Sequence, residues 1–236
     1  MSYDTLIKNL SVIILCGGRG ERLKPITNKI PKALIKIGGH EILSHIINHL
    51  KKYKIKNIFV LTGYKQEKIK KFVKKKFKNN VNCFYTGQKN DIISRIKKSL
   101  AFQKKYILVC YGDTLVDLSI DKLLKFHSKN HNLSTISTYE TKTNFGIVNF
   151  NSKGLVTSFK EKPNLNLWIN VGYFIFEKNK LLKYCNSFKS FKNLLIYLGK
   201  KKKIKAFKHF GNHITINTAI ELEEAKRNIK KFKIKL

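Results

Sequence analysis

Carboxylates are scarce in this sequence. Fourteen Asp and Glu stand against 49 Lys and Arg, a formal net charge of +35 over 236 residues. Such a balance turns attention first to nucleic acid or an anionic membrane surface. Arginine, however, is scarcer still: only Arg19, Arg22, Arg95 and Arg227 interrupt the lysines. The lysine runs, Lys74 to Lys76 and Lys200 to Lys203, lack the arginine and aromatic interleaving of a surface that reads or stacks bases. A specific nucleic-acid partner is therefore disfavoured, and the charge reads as a solvated basic surface that attracts phosphorylated small molecules. Cys16, Cys83, Cys110 and Cys185 are scattered, with no C-x-x-C pair and no histidine at zinc spacing. They read as reduced, mostly buried thiols of a cytoplasmic protein. No apolar run approaches the ~20 residues of a membrane span. No signal-peptide pattern precedes residue 12, and no internal repeat or low-complexity linker divides the chain. Membrane and secreted classes are thereby disfavoured, and residues 1–236 read as one domain.

What is present is concentrated in residues 12–34. Val12 to Leu15 is an apolar, β-branched run that predicts a buried strand. It breaks into Gly17, Gly18 and Gly20, where a residue without Cβ lets the backbone turn sharply and approach a ligand. Arg19, Arg22 and Lys32 bring cations to the same place, and arginine adds a rigid fork suited to phosphate. Strand, glycine loop and cations together make a cradle for a polyphosphate. The spacing is neither the P-loop G-x-x-x-x-G-K-[ST] nor a G-x-G-x-x-G opening a helix.

Strand and helix patterns alternate from residue 12 to about 127. Helical periods cover 40–54, 65–77 and 91–103; strands are predicted at 58–61, 81–85 and 106–111. This is the pattern of a doubly wound, Rossmann-like α/β sheet, whose ligands bind beyond the carboxyl ends of the strands. That rule gathers Gly17–Arg22, Thr86-Gly87 and Asp113 at one edge. After residue 133, strands at 133–139, 145–149, 155–159 and 168–176 follow without helices between them. They predict a mixed or antiparallel extension laid as a lid over the site. A strand at 204–207 and a helix at 219–231 close the chain. Asp113 ends the fully apolar run Tyr106–Tyr111, so its carboxylate sits at the ligand edge as a candidate Mg²⁺ ligand; the alternative is a cap on the next helix.

The pairing G-G-x-G-x-R-L and P-K-x-L resembles the sugar-1-phosphate nucleotidyltransferases (nucleotide-sugar pyrophosphorylases), over residues 11 to about 230. The resemblance implies a mixed sheet of the nucleotide-diphospho-sugar transferase type with a small β-rich sugar-side extension. It divides the chain into a nucleotide-binding half, about 11–130, and a sugar-binding half with the C-terminal helix, about 131–236. It assigns Arg22, Lys32 and Asp113 to catalysis. Leu15, Gly17, Gly18, Arg19, Gly20, Thr86, Gly87, Arg95 and Gly112 fall to the nucleotide. Phe159-Lys-Glu-Lys-Pro163 and Ile169-Asn-Val-Gly172 match the family's F-x-E-K-P and I-N-x-G, placing Glu161, Lys162, Asn170 and Gly172 on the sugar phosphate. Asp113 supplies one Mg²⁺ ligand and Asn217 the second, with Thr215 as the alternative register and helix capping by Asn217 or Thr218 as the alternative role.

The segments Asp117–His127, Phe145-Gly146, Lys208-His209 and Thr86-Gly87…Arg95-Ile-Lys97 are similar to glucose-1-phosphate cytidylyltransferases. The opening residues and Gly146–Asn149 are similar to heptose-1-phosphate guanylyltransferases. The implied reaction joins an NTP and a sugar 1-phosphate into an NDP-sugar and pyrophosphate for polysaccharide biosynthesis, with CTP and a hexose 1-phosphate favoured. GTP with a heptose or mannose 1-phosphate is the alternative. Three departures set a nucleotide-sugar-binding paralogue of weak activity beside it. Glu21 replaces the usual Thr, Asn217 stands where many relatives have Asp, and Ile92-Ile93-Ser94 replaces T-G-G before the arginine. Mg²⁺ is the implied cofactor, the partners are the two small substrates, and a homo-oligomer is compatible with the pattern.

Overall fold

The computed structural model describes residues 3–130, 133–143 and 145–232. In chain order, helix α1 (Tyr3–Lys8) leads into β1 (Leu10–Cys16), α2 (Ile26–Lys29), the short pair β2 (Lys36–Ile37) and β3 (His40–Glu41), α3 (Ile42–Lys51) and β4 (Ile58–Thr62). Next come α4 (Gln66–Phe77), β5 (Asn82–Tyr85), α5 (Ile92–Ser99), β6 (Tyr106–Tyr111), β7 (Thr114–Val116) and α6 (Ile120–Lys129). The second part comprises β8 (Ser134–Lys142), β9 (Ile147–Phe150), β10 (Val156–Lys160), β11 (Asn164–Glu177), α7 (Lys178–Ser187) and α8 (Phe191–Lys200). It ends with β12 (Ile204–His209), β13 (His213–Thr215) and α9 (Ala219–Asn228).

One seven-stranded sheet in the order β12-β8-β11-β6-β1-β4-β5 organises the molecule. Strands β6, β1, β4 and β5 run parallel, so the ends of β1, β4, β5 and β6 all open on one edge. A parallel strand in the middle of such a sheet is covered on both faces, which is why β1 is apolar without a break from Val12 to Cys16 rather than alternating. Its residues divide between two cores. Val12, Ile14 and Cys16 face α1, α3, α4, α6 and α9; Ile13 faces α5, α7 and α8. No helix among the described residues is long and apolar enough to cross a membrane.

The later strands form the expected mixed extension, but within the main sheet rather than as a lid. Strand β11 pairs antiparallel with β6 and β8, and β12 pairs parallel with β8, so three of these strands widen the main sheet. Strands β9 and β10 stand apart as an antiparallel pair, and β13 pairs with β7 outside the main sheet. Helices α7 and α8 also went unforeseen; Leu181, Cys185, Phe191, Leu194 and Leu198 pack them on the second core.

Two buried histidines and one half-buried one make stability pH-dependent. His45 and His49 bond the carbonyls of Ile37 and Leu118 at 2.9 and 2.8 Å, and burial holds both below the ordinary value of 6.5. Burial, with His209 beside it, pushes His213 down to about 4. The unfolded chain therefore binds protons that the folded chain refuses. The stability from these neutral rings is fully present above pH 6.5 and is lost as the pH falls through the window to about 4. Urea midpoints at pH 7.5 and 5.0 are expected to fall in that order, and equal midpoints would refute this account.

Candidate active site

Two adjoining cavities lie at the carboxyl edge of the sheet. The first, about 280 Å³, is lined by the loop after β1 (Gly18, Gly20, Glu21, Arg22), by Lys32 and Ala33, and by Gly112, Asp113 and Asn217. The second, about 320 Å³, shares Leu15, Gly18, Gly112 and Asp113 with it. It extends past Gly17 to Asn90, Asp91, Ile92, Arg95 and Tyr111.

Asp113 arrives on the end of β6, where Gly112 donates its N–H to the Leu15 carbonyl at 3.2 Å. Asn217 comes from more than a hundred residues away in sequence. It is delivered by the antiparallel pair β7–β13, in which Thr114 faces Thr215, and by Ile216 N–H bonding the Asp113 carbonyl at 3.1 Å. Lys32 joins the two. Its Nζ donates to Asp113 Oδ2 at 2.6 Å and to Asn217 Oδ1 at 3.1 Å, while Arg22 Nη2 reaches the same amide oxygen at 3.0 Å. One carboxylate oxygen and one amide oxygen thus meet two cations beside the glycine loop.

The local alternatives left by the sequence separate here. Thr218 caps α9: its hydroxyl accepts Glu221 N–H at 3.2 Å and Glu221 Oε2 accepts Thr218 N–H at 3.1 Å, a reciprocal capping box. The same carboxylate also accepts Asn217 N–H. Asn217 is thereby freed to turn its side chain to the cavity, with Nδ2 donating to Thr215 Oγ1 at 3.3 Å. Asp113 caps nothing, for Ser119 is the cap of α6. Thr218→Ala is expected to cost about 1 kcal/mol of stability, measured by urea melts.

Arg95 is buried on the wall of the second cavity, and its guanidinium is bonded to protein acceptors. Its Nη1 donates to Thr86 Oγ1 and the Gly87 carbonyl, both at 2.7 Å, and to the Thr62 carbonyl at 3.4 Å. Its Nη2 reaches the carbonyls of Gly17 at 3.1 Å and Gln88 at 3.2 Å. One guanidinium therefore ties together the loops after β1, β4 and β5. A Cβ on Gly17 would stand 2.0 Å from Arg95 Nη1, and one on Gly63 would stand 2.5 Å from it. Both glycines make room for the arginine; Gly63 escaped the sequence reading, although it ends a strand.

Other expected residues are more dispersed. The Arg19 guanidinium lies 5.8 Å from the centre of the Tyr64 ring, in a small neighbouring cavity. Thr86 is buried, its hydroxyl donating to the Thr62 carbonyl at 2.8 Å. Glu161 and Lys162 are exposed beyond β10, 3.8 Å from each other and outside both cavities. Asn170 Oδ1 accepts Gly172 N–H at 2.7 Å, and its side chain is in hydrogen-bond contact with Tyr111 on the wall of the second cavity. Glu21 pairs with Lys24, and that bond holds its carboxyl below the usual range. The misfit carboxylate is thus neutralised beside the loop. Asn90, Asp91 and Tyr111 line the second cavity although no motif pointed to them, beside Ile92 from the segment that replaces T-G-G; Asp91 carried a local signal, since its carboxylate caps α5 by accepting Ser94 N–H at 3.1 Å.

Asp113 Oδ2 and Asn217 Oδ1 fit Mg²⁺ as hard oxygen donors beside a phosphate-sized cavity. Among the described residues there is no cluster of three or more His, Cys, Asp or Glu that would build an all-protein cage. Mg²⁺ characteristically takes one or two protein oxygens and fills the rest with phosphate and water.

The sequence profile of the nucleotidyl transferase family matches residues 11–194. A probable glucose-1-phosphate cytidylyltransferase from Bacillus subtilis (strain 168) is 28% identical over 92% of this chain and 95% of its own length. A D-glycero-alpha-D-manno-heptose 1-phosphate guanylyltransferase from Campylobacter jejuni is 35% identical over 65% of this chain and 69% of its own. A bifunctional protein GlmU from Methanococcus maripaludis is 31% identical over 65% of this chain, which covers only 36% of that longer protein. A Bacillus anthracis crystal structure assigned as a glucose-1-phosphate thymidylyltransferase, with sucrose bound, superposes with a TM-score of 0.75 at 18% identity. It covers 95% of this chain and 96% of its own, and it shares the fold.

Proposed function

Because this chain belongs to the nucleotidyl transferase family, we propose that it joins a nucleoside triphosphate and a sugar 1-phosphate into an NDP-sugar, releasing pyrophosphate. The observation that carries the reading is the meeting of Lys32, Arg22, Asp113 and Asn217 beside the glycine loop. Transfer of this kind needs positioning and charge neutralisation more than proton transfer. The sugar phosphate oxygen attacks the α-phosphorus in line, and pyrophosphate leaves. Backbone N–H groups of Gly17–Gly20 cradle the triphosphate, while Arg22 and Lys32 neutralise it and the leaving group. Asp113 and Asn217 would hold Mg²⁺, which would supply Lewis-acid stabilisation of phosphate charge. Lys162 and Asn170, with Glu161 and Gly172, receive the sugar phosphate. Thr86, Gly87 and Arg95 shape the nucleotide side from behind. The nucleotide half is about 11–130 and the sugar half about 131–236, with Asn217 reaching back from the second into the first.

CTP with a hexose 1-phosphate is the favoured pair, supported by likeness along nearly the whole Bacillus subtilis relative. GTP with a heptose or mannose 1-phosphate is the second reading, supported by the higher identity of the shorter Campylobacter jejuni match. The second cavity is compatible with both: Asp91 lies on its wall, and its oxygens, each accepting one bond from Ser94, keep lone pairs for the exocyclic amino group that cytosine and guanine carry and that uracil and thymine lack. Pyrophosphate release is measured with CTP, GTP, UTP and dTTP against glucose, mannose and heptose 1-phosphates. Release with CTP or GTP is expected. Release with no pair, while nucleotides still raise the melting temperature, would replace the enzyme by a binding paralogue.

A further inference from the structure

The two oxygens assigned to the metal share a cation. Lys32 Nζ stands 2.6 Å from Asp113 Oδ2 and 3.1 Å from Asn217 Oδ1, which places one ammonium between the carboxylate and the amide. The Lys32 side chain is only 14% exposed and that of Asp113 only 31%, so this pairing is partly shielded from water. Arg22 adds a second positive charge, 3.0 Å from the amide oxygen.

We propose that Lys32 is an internal counter-ion that closes the divalent-metal position until a triphosphate arrives. This inference rests on the assignment of Asp113 and Asn217 as the metal-holding pair. An ammonium at 2.6 Å and a divalent ion cannot both occupy the same oxygen face, because like charges a few ångströms apart repel strongly in a partly buried site. A metal entering alone must displace Lys32 and leave its ammonium without an anion. A triphosphate changes the balance: its oxygens in the adjoining cradle give Lys32 a new partner and bring further ligands for the metal. Metal and nucleotide therefore load together. Lys32 acts as a positioning residue for the metal before it acts on the phosphates.

The test is Mn²⁺ binding to the full chain in the absence of nucleotide, followed by the electron paramagnetic resonance signal of free Mn²⁺. Lys32→Met and Lys32→Gln are expected to bind Mn²⁺ at least about tenfold more tightly than the unsubstituted protein, because removing a unit charge in contact with the site relieves a large repulsion. Arg19→Met removes a charge from the same loop without touching either oxygen, and is expected to change affinity by less than about twofold. Using two Lys32 variants, each checked by circular dichroism, keeps the result independent of one failing to fold. Lys32 variants that bind no more tightly than the unsubstituted protein would overturn the inference, as would an equal gain from Arg19→Met. Lys32→Met combined with Asp113→Asn separates the two levels. Loss of the gain in the double variant supports both; retention of the gain places the metal elsewhere and refutes the assignment of Asp113 instead.

Discussion

Asp113→Ala is expected to lower the rate of pyrophosphate release by about 10³-fold or more while leaving the melting temperature within a few degrees. The two halves of that expectation come from different contacts. The Asp113 carboxylate is partly exposed, and its described partners are Lys32 Nζ at 2.6 Å and the Thr114 hydroxyl at 3.3 Å. An ion pair that keeps one side to water, with side chains 14% and 31% exposed, is worth about 1 kcal/mol to the fold. The bond that ties the late loop to β6 uses the Asp113 backbone carbonyl, which receives Ile216 N–H at 3.1 Å and survives the substitution. Chemistry loses more under the proposed reaction, because the substitution removes the carboxylate assigned to the metal beside the cationic loop. Asp113→Asn preserves shape and removes only charge, so a loss of similar size assigns the effect to electrostatics. The checks are kcat from pyrophosphate release and a thermal melt. Turnover within about tenfold of the unsubstituted protein would remove Asp113 from the reaction.

Asp113 was legible in the sequence because a buried parallel strand is apolar throughout, which makes the first carboxylate after Tyr111 conspicuous. The Asn217 position was half legible. Thr218 followed three residues later by Glu221 is the sequence form of a capping box, yet nothing local reveals that β13 would pair with β7 and carry Asn217 to Asp113. Pairing across about a hundred residues is set by the tertiary packing of Ile214 and Ile216, and it leaves no periodic trace. The lid expectation failed for a related reason. Strand β11 is fourteen residues long, exposed along its first half and buried from Val171 to Phe176. Strands following one another without helices between them suggest a separate layer, whereas the buried half of β11 completes the main sheet. Helices α7 and α8 carried readable apolar positions at helical spacing, but the run of strands before them set a misleading context.

Arg95 shows where motif and physics diverge, and its replacement is the second large effect expected. A guanidinium that binds phosphate and one that binds backbone carbonyls satisfy the same donors, so the sequence cannot distinguish them. Here five acceptors from three loops converge on Nη1 and Nη2, at 2.7 to 3.4 Å, and burial pushes the guanidinium below its ordinary pKa. Arg95→Ala would leave those oxygens facing a void. Each buried acceptor without a donor costs on the order of 1 kcal/mol or more, and partial relaxation of the loops brings the total to roughly 3–5 kcal/mol. For a chain of this size that corresponds to a melting temperature lower by roughly 6–20 °C. Arg95→Lys keeps the charge but offers a single tripod of donors, so a loss of about 1–3 kcal/mol is expected. Both variants should also bind nucleotide more weakly, because the Gly17 carbonyl is one of the five and the loop it belongs to forms the cradle. The order of effects discriminates. A residue that touches only the nucleotide would change KM and leave the nucleotide-free melting temperature untouched; that outcome for Arg95→Lys would overturn the role assigned to it. A residue that fixes the loops lowers the melting temperature first, in the absence of any ligand, and weakens binding as a consequence.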